Sequence, residues 1–345
     1  MCFACGWTSP VCPARIGFQG RPKGNFSFNP VQRAIAMSID RRKFLHVTAA
    51  AVSGLALGPG RTLSAGQSAP PFTFAHLTDM HVQPELSAVE GFKQCIAKLN
   101  RLPQRPDFVI TGGDLIMDGL AVDRDRLDVQ LKLFDGCCRD FELPVHHTIG
   151  NHDVVGWSDK AKISQSDPAY GKRLFAERYG QGRTYRSFGH KGWHFILLDS
   201  IGQQAGSAEY IGLIDDAQLE WLKKDLEQVG RQKPIVIVTH IPFYTTWHQV
   251  VADPMVRLSP KSLVNNSHSF RKLLQPYNVQ LVLSGHGHIR ERIEVGHQVH
   301  IQSGAVSGLW WKGPVDGDAE AFGVVACHAD RFDYRYETYG WVARK

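Results

Sequence analysis

The sequence predicts an α/β layered domain from Pro70 to the end of the chain, on three observations. Short apolar runs alternate with amphipathic helical patterns, most runs end in Gly, Asp, Asn or His, and the tail is a succession of strand-like segments. Alternation of this kind places strands in a sheet with helices packed against it, and a strand-rich tail adds antiparallel strands. With 43% hydrophobic and 21% charged side chains among 345 residues, the chain buries a full core.

Each element has its own signal. FTFAHLTD at 72–79 reads as a strand and is followed by a helix near Leu86 to Leu102, whose apolar stripe of Phe92, Cys95, Ile96 and Leu99 makes Cys95 a packing residue. DFVITGGD at 107–114 is the next strand, with a helix near Arg124 to Phe141 after it. PVHHTIGNHD at 144–153 repeats the plan, and His146 and His147, inside that strand, read as structural. Then come WHFILLDS, the helix DAQLEWLKKDLEQV, the strand PIVIVTH, a short helix SFRKLLQPY and the strand VQLVLSGHGH at 279–288. GVVACHAD and RFDYRYETYGW lie among the strands of the tail. No Pro/Ser/Gly linker and no repeat interrupts residues 70–345, which predicts one domain. The longest irregular stretches, 154–170 and 244–266, have the length of lids or binding loops, and Trp247 and His248 fall in the second.

The front of the chain is different. The first 69 residues hold eight Lys or Arg and one acid, a local charge of +7 against +6 for the whole chain, which leaves the remainder at −1. A body so near neutrality does not point to nucleic acid. Residues 37–69 run from Arg41-Arg42 through an apolar stretch at Leu45 to Leu57 to small residues at Ser64, Ala65 and Ala69, the three-part layout of an export signal. The arginine pair followed by Lys43, Phe44 and Leu45 resembles the twin-arginine type, which implies the twin-arginine export machinery as a partner and a periplasmic or extracellular destination. The apolar stretch is about a dozen residues, short of the roughly 20 of a spanning helix, so no permanent membrane span is expected after processing. Residues 1–36 precede that signal and read as an over-extended start, with translation from Met37. Cys2, Cys5 and Cys12 lack a fourth ligand at zinc-knuckle spacing, and no disulfide framework is visible.

The ends of the apolar runs carry the chemistry. Asp79 and His81, Asp114, Asn151 with His152 and Asp153, His240, and His286 with His288 each stand just beyond a strand, the edge at which layered α/β proteins bind ligands. Tight turns alone would explain the glycines but not five histidines and three aspartates at equivalent edges. Hard oxygen donors mixed with imidazoles favour Mn, Fe or Zn over calcium, and seven candidate ligands exceed the three or four that one tetrahedral zinc takes. The inventory therefore suits two divalent metal ions.

The ordered set DxH at 79–81, GGD ending at Asp114, GNHD at 150–153, the strand-terminal His240 and GHGH at 285–288 resembles the five motifs of the calcineurin-like metallophosphoesterases, over roughly residues 72 to 290. The resemblance implies a four-layer α/β/β/α sandwich with two mixed central sheets around a two-metal centre, in which the remaining strands, GVVACHAD and RFDYRYETYGW among them, would complete the second sheet. By matching position, Asp79, His81 and His288 would hold one metal, Asn151, His240 and His286 the other, and Asp114 would bridge them. His152 would contact a phosphoryl oxygen or protonate the leaving group, Asp153 would fix its tautomer, and Gly150 would let the backbone turn between them. The reaction expected is hydrolysis of a small-molecule phosphodiester or phosphomonoester by attack of a metal-bridging hydroxide.

Within that family, DxH with GNHD resembles the class III cyclic-nucleotide phosphodiesterases. Purple acid phosphatases carry a Tyr three residues after the bridging Asp, where this chain has Met117. A purple-acid-phosphatase-like monoesterase and a non-catalytic binding module on the same fold are the alternatives; the second is disfavoured because every ligand position and His152 are filled. SGLWWKGP at 307–314 follows the GHGH turn and has two readings: Trp310, Trp311 and Lys312 either line the cleft or are packed aromatics beside a solvent lysine.

Overall fold

Along the first strand the side chains divide by parity: Phe72 and Phe74 enter one apolar cluster, Ala75 and Leu77 another. A strand sends alternate residues to opposite faces, so a strand apolar on both belongs inside a layered protein. The computed structural model describes residues 70–344. The expectations for residues 1–36 and the export signal at 37–69 lie outside the described residues.

In chain order the elements are β1 (Phe72–Leu77), α1 (Ala88–Asn100), β2 (Phe108–Thr111), α2 (Arg124–Cys138), β3 (Val145–His147), α3 (Arg173–Arg178), β4 (Arg186–His190) and β5 (Trp193–Leu197). Then follow β6 (Ile201–Gln203), β7 (Tyr210–Gly212), α4 (Asp216–Val229), β8 (Ile235–Val238), α5 (Trp247–Val251) and α6 (Ser267–Leu274). The last five are β9 (Val279–Ser284), β10 (Arg290–Val295), β11 (Gln298–Ser303), β12 (Ala321–Cys327) and β13 (Phe332–Thr338). One sheet has the order β13-β12-β1-β2-β3 and a second β10-β11-β9-β8-β5-β4, while β6 and β7 form a small ribbon. In the first sheet β1, β2 and β3 are parallel; β12 and β13 extend this sheet, not the second as expected, because β12 pairs antiparallel with β1 and β13 antiparallel with β12. In the second, β5, β8, β9 and β11 are parallel, with β4 and β10 as antiparallel edges. Both central sheets are therefore mixed, as expected.

The sheets meet through Phe74, Phe108 and Ile110 on one side and Trp193, Phe195, Leu197, Val236 and Leu281 on the other. Phe195 is central there, its ring 5.2 Å from Phe74, 5.2 Å from Phe108 and 5.0 Å from Phe188. Removing such a ring costs about 3–5 kcal/mol. The opposite faces of the same strands, through Val109, Ile196, Ile235, Ile237 and Val282, join the larger core with residues of α1, α2, α4 and α6. Cys95 lies there fully buried beside Phe92, Ile96 and Leu99, as its stripe predicts. α2 and α4 begin where Asp123 and Asp215 accept the backbone N–H of Arg126 and Gln218, at 3.0 and 2.7 Å.

Four features were not foreseen: α3, β4, the β6–β7 ribbon and α5. β4, the β6–β7 ribbon and α5 carry no clean periodicity, and α5 is a single short turn inside the irregular stretch 244–266. β10, RERIEV, alternates exposed and half-buried residues, the charged pattern of an edge strand. His146 stacks on Phe188 at 4.2 Å and His147 lies 3.2 Å from Thr111 Oγ1, so both are packing residues. Burial pushes each of their pKa values down to about 4.

Candidate metal centre

The parallel strands of both sheets run to one edge, and the turns beyond β1, β2, β3, β8 and β9 bring the candidate residues together there. The turns are stitched to one another: Asp79 N–H donates to the Gly113 carbonyl at 3.1 Å, His81 N–H to that of Asp114 at 3.0 Å, and Gly285 N–H to that of His240 at 3.0 Å. Five of the nine candidates sit in left-handed backbone, with φ of 56° at Asp79, 44° at His81, 54° at Asp114, 70° at His286 and 58° at His288. Asp and His tolerate this region better than most residues, but so dense a cluster is held only by its surroundings and is typical of functional sites.

Two donor groups result. Asp79, His81 and His288 offer atoms within 4.8 Å of one another, as do Asp114, His240 and His286. In the first, His81 Nε2 is 3.0 Å from His288 Nε2, and Asp79 Oδ1 is 3.3 Å from His288 Nε2. In the second, Asn151 Oδ1 is 3.0 Å from both His240 Nε2 and His286 Nδ1. Asp114 stands between: its Oδ2 is 3.5 Å from His81 Nε2 and 3.1 Å from His240 Nε2. A third combination, His81, Asp114 and His152, meets the same distance condition.

The proton inventory tests whether a metal suits these atoms. His240 Nδ1 donates to the Gly112 carbonyl at 2.8 Å and His288 Nδ1 to that of Gly308 at 2.6 Å. A neutral imidazole has one N–H, so Nε2 of each ring carries a lone pair. Those lone pairs face other acceptors: Asn151 Oδ1 and Asp114 Oδ2 around His240, Asp79 Oδ1 around His288. Acceptors that converge in a buried pocket repel unless a cation lies among them, and mixed imidazole, carboxylate and amide oxygen donors fit a divalent metal. The backbone carbonyls that hold the rings are the usual outer partners of metal-bound histidine. His81 Nδ1, buried, has no such partner among the described residues.

The charges agree. Burial opposes ionisation of Asp79, but His288 beside it overrides this and brings its pKa down to about 2. Asp114 is likewise buried and is held well below the usual carboxylate range by His240 and His152. Burial disfavours a charged His240, yet Asp114 and Asp79 raise its pKa to about 9: without a metal a second proton, on Nε2, is held by the carboxylates' field in the place a cation would take. Burial, aided by the neighbouring histidines, holds the His81 pKa well below its ordinary value and pushes that of His286 down to about 4.

Two expected roles need correction. Asp153 does not touch the His152 ring. Its Oδ1 accepts from Leu115 N–H at 2.8 Å and its Oδ2 from Gly150 N–H at 2.8 Å, so it ties the turn to the loop after β2. His152 instead donates Nδ1–H to the Met117 carbonyl, which fixes its tautomer and turns Nε2 toward the cleft. Gly150 is also not needed for a special turn, since its φ of −110° and ψ of 176° are ordinary extended values. What it provides is close approach: a Cβ there would stand 2.2 Å from both the backbone N and Oδ1 of Asp114. Gly150→Ala is expected to destabilise the chain by about 1–3 kcal/mol through overpacking, and to lower metal content. Thermal unfolding with elemental analysis reads both; an unchanged melting temperature with full metal content refutes it.

Several contributors had no sequence signal, above all the carbonyls of Gly112, Met117 and Gly308, because every residue has a carbonyl. Thr78, whose hydroxyl donates to Asp79 Oδ2 at 2.6 Å, was quoted only as part of its strand. The two readings of SGLWWKGP divide. Trp311 is fully buried and donates Nε1–H to the carbonyls of Met80 and His81 at 3.0 and 3.1 Å, whereas Trp310 is 37% exposed with its ring 5.1 Å from that of His288. Lys312 is exposed. Trp247 and His248 line a cavity of about 260 Å³ that also touches His286.

The profile of the calcineurin-like phosphoesterase family matches residues 72–290. Two curated relatives are plant proteins of Arabidopsis thaliana. Probable purple acid phosphatase 20 is 31% identical over 161 residues, 44% of this chain and 33% of its own length. Purple acid phosphatase 15 is 28% identical over 158 residues, 44% of this chain and 25% of its own length. The matched part of the chain thus spans a third or less of these relatives. Among solved structures, a dimetal phosphatase from Danio rerio superposes with a TM-score of 0.53 at 19% identity, over 78% of this chain and 99% of that one. That likeness concerns the fold.

Proposed function

The chain belongs to the calcineurin-like phosphoesterase family, and from that premise we propose that it hydrolyses small phosphate monoesters or diesters at a two-metal centre. One observation carries the proposal: a single oxygen, Asp114 Oδ2, faces both donor groups at once. Asp79, His81 and His288 would hold one metal, Asn151, His240 and His286 the other, with Asp114 common to both. Two bound divalent metals supply a water activated near neutral pH and a clamp on the phosphoryl oxygens.

The chain's own residues do the rest. Asn151 contributes a carbonyl oxygen without adding negative charge beside an anionic substrate. Thr78 and the His286 backbone N–H, both bonded to the Asp79 carboxylate, orient it. Met117 holds the His152 ring so that Nε2 is presented to the leaving-group oxygen. Phosphate release from a panel of monoesters and diesters, with Mn, Fe and Zn each supplied in turn, tests the reading. Turnover of at least one ester with a metal, abolished by chelation, is expected; binding of metal with no turnover of any ester favours the non-catalytic module.

The class III pattern of DxH with GNHD supports diester hydrolysis, and the two plant relatives support monoester hydrolysis. Met117 in the place of the purple enzymes' Tyr removes the tyrosinate ligand that gives their colour, so the iron-loaded protein is expected to be colourless. Export by the twin-arginine route is part of the same reading. Among the described residues no helix is long and apolar enough to cross a membrane. Changing Arg41 and Arg42 together to lysine is expected to retain the protein in the cytoplasm, as fractionation and immunoblotting read; undiminished export of the lysine form removes the assignment.

A further inference from the structure

Beside the metal centre the backbone makes an unusual turn. Gly308, Trp310, Trp311 and Gly313 have φ of 53°, 49°, 69° and 124°. Glycine adopts such values freely, but two consecutive tryptophans do so only at a cost in strain, which the surroundings must override. They do so from every side. Ser307 N–H donates to the Asp79 carbonyl at 3.1 Å, Trp311 N–H to that of Ser307 at 2.7 Å, and Leu309 N–H to that of Gly313 at 2.8 Å. The Gly308 carbonyl receives the His288 ring, and the buried Trp311 indole is pinned to the backbone of Met80 and His81.

The outcome of this strain is the position of one side chain. Trp311 is the anchor, and Trp310 is lifted into solvent as a large half-exposed ring, 5.1 Å from the His288 ring and 6.3 Å from that of His81. Trp310 stays 37% exposed while its ring is held beside those of two proposed metal ligands. His152, which meets the leaving group in the proposed reaction, packs on the same His81 ring at 4.8 Å, edge to face. In the proposed reaction the leaving group that His152 meets would depart beside the His81 ring, which Trp310 also approaches.

We infer that Trp310 is the platform on which the leaving group stacks, and that the substrates are phosphoesters of planar aromatic groups, aryl alcohols or nucleosides. The inference rests on the proposed reaction for the direction of departure. Aromatic stacking on a protein ring is sequence-tolerant and typically changes affinity by about tenfold or more.

The test uses the full metal-loaded chain and two unhydrolysable probes, benzylphosphonate and ethylphosphonate. Calorimetry is expected to show benzylphosphonate bound about tenfold more tightly. Trp310→Gly, which removes the indole and relieves the left-handed strain, should bring the two within about twofold, and Trp310→Phe should restore most of the preference. In turnover, the ratios of kcat/KM for phenyl phosphate and for adenosine 5′-monophosphate to that for ethyl phosphate should fall with the same variant, and whichever ratio falls further identifies the aryl or the nucleoside source. A wild-type chain without the preference, or a Trp310→Gly chain that keeps it, overturns the platform, even where esters are hydrolysed. A preference that Trp310→Gly removes, in a chain that turns over no ester, upholds the platform and sinks the proposed reaction.

Discussion

Asp114→Asn is expected to abolish metal retention and to lower phosphate release by at least about 10³-fold, because several kcal/mol of charge stabilisation at the reacting centre are lost with it. The carboxylate is buried, and its Oδ2 faces both donor groups at once. The amide that replaces it has the same shape. Its oxygen can still accept the His152 backbone N–H that Asp114 Oδ1 now accepts at 2.9 Å, so the turn keeps its anchor. The negative charge is removed, an NH2 group with no lone pair for a metal takes the place of Oδ2, and the screening between two neighbouring dications goes with them. Elemental analysis after gel filtration reads the first effect and a phosphate assay the second. Two metals per chain retained by the asparagine form would show that the carboxylate does not hold the pair together.

How far such a site can be read from sequence depends on which atoms do the work. Asp79, His81, Asp114, Asn151, His240, His286 and His288 were legible because each is a chemistry-bearing side chain just beyond an apolar strand, and the topology carries all such ends to one edge. The two mixed sheets were legible for a related reason: β1, β2, β5, β8 and β9 are apolar on both faces, which only a central position allows. Asp153 was misread because adjacency in sequence was taken for adjacency in space. Residues 151–153 form a turn of 3₁₀-helix, in which neighbours diverge by about a third of a rotation, so Asp153 points back into the turn while His152 faces the cleft. Gly150 was assigned a conformational role when its role is steric, a distinction that needs the position of Asp114. Trp310 and Trp311, identical and adjacent, have opposite environments that depend on two positive φ values, for which tryptophan gives no signal.

His152→Ala should keep both metals and lose rate by about 10² to 10⁴-fold, the usual worth of a positioned acid. The geometry gives the reason. His152 spends Nδ1 on the Met117 carbonyl, leaving Nε2 to face the cleft, half-buried and edge-on to His81. Its backbone N–H, bonded to Asp114, survives the substitution, so the metal turn stays in place. If Nε2 delivers a proton to the departing oxygen, the loss must follow the leaving group. An alkyl phosphate, whose alkoxide departs poorly, should suffer most, and a nitrophenyl phosphate, which leaves readily as an anion, least. Equal losses on the two would mean that the ring steadies the phosphoryl oxygens and carries no proton. Loss of a metal from the alanine form would place His152 among the ligands with His81 and Asp114, the third combination that the distances permit. Metal analysis and the pair of substrates together separate the three roles, because only the acid predicts full metal content with unequal losses.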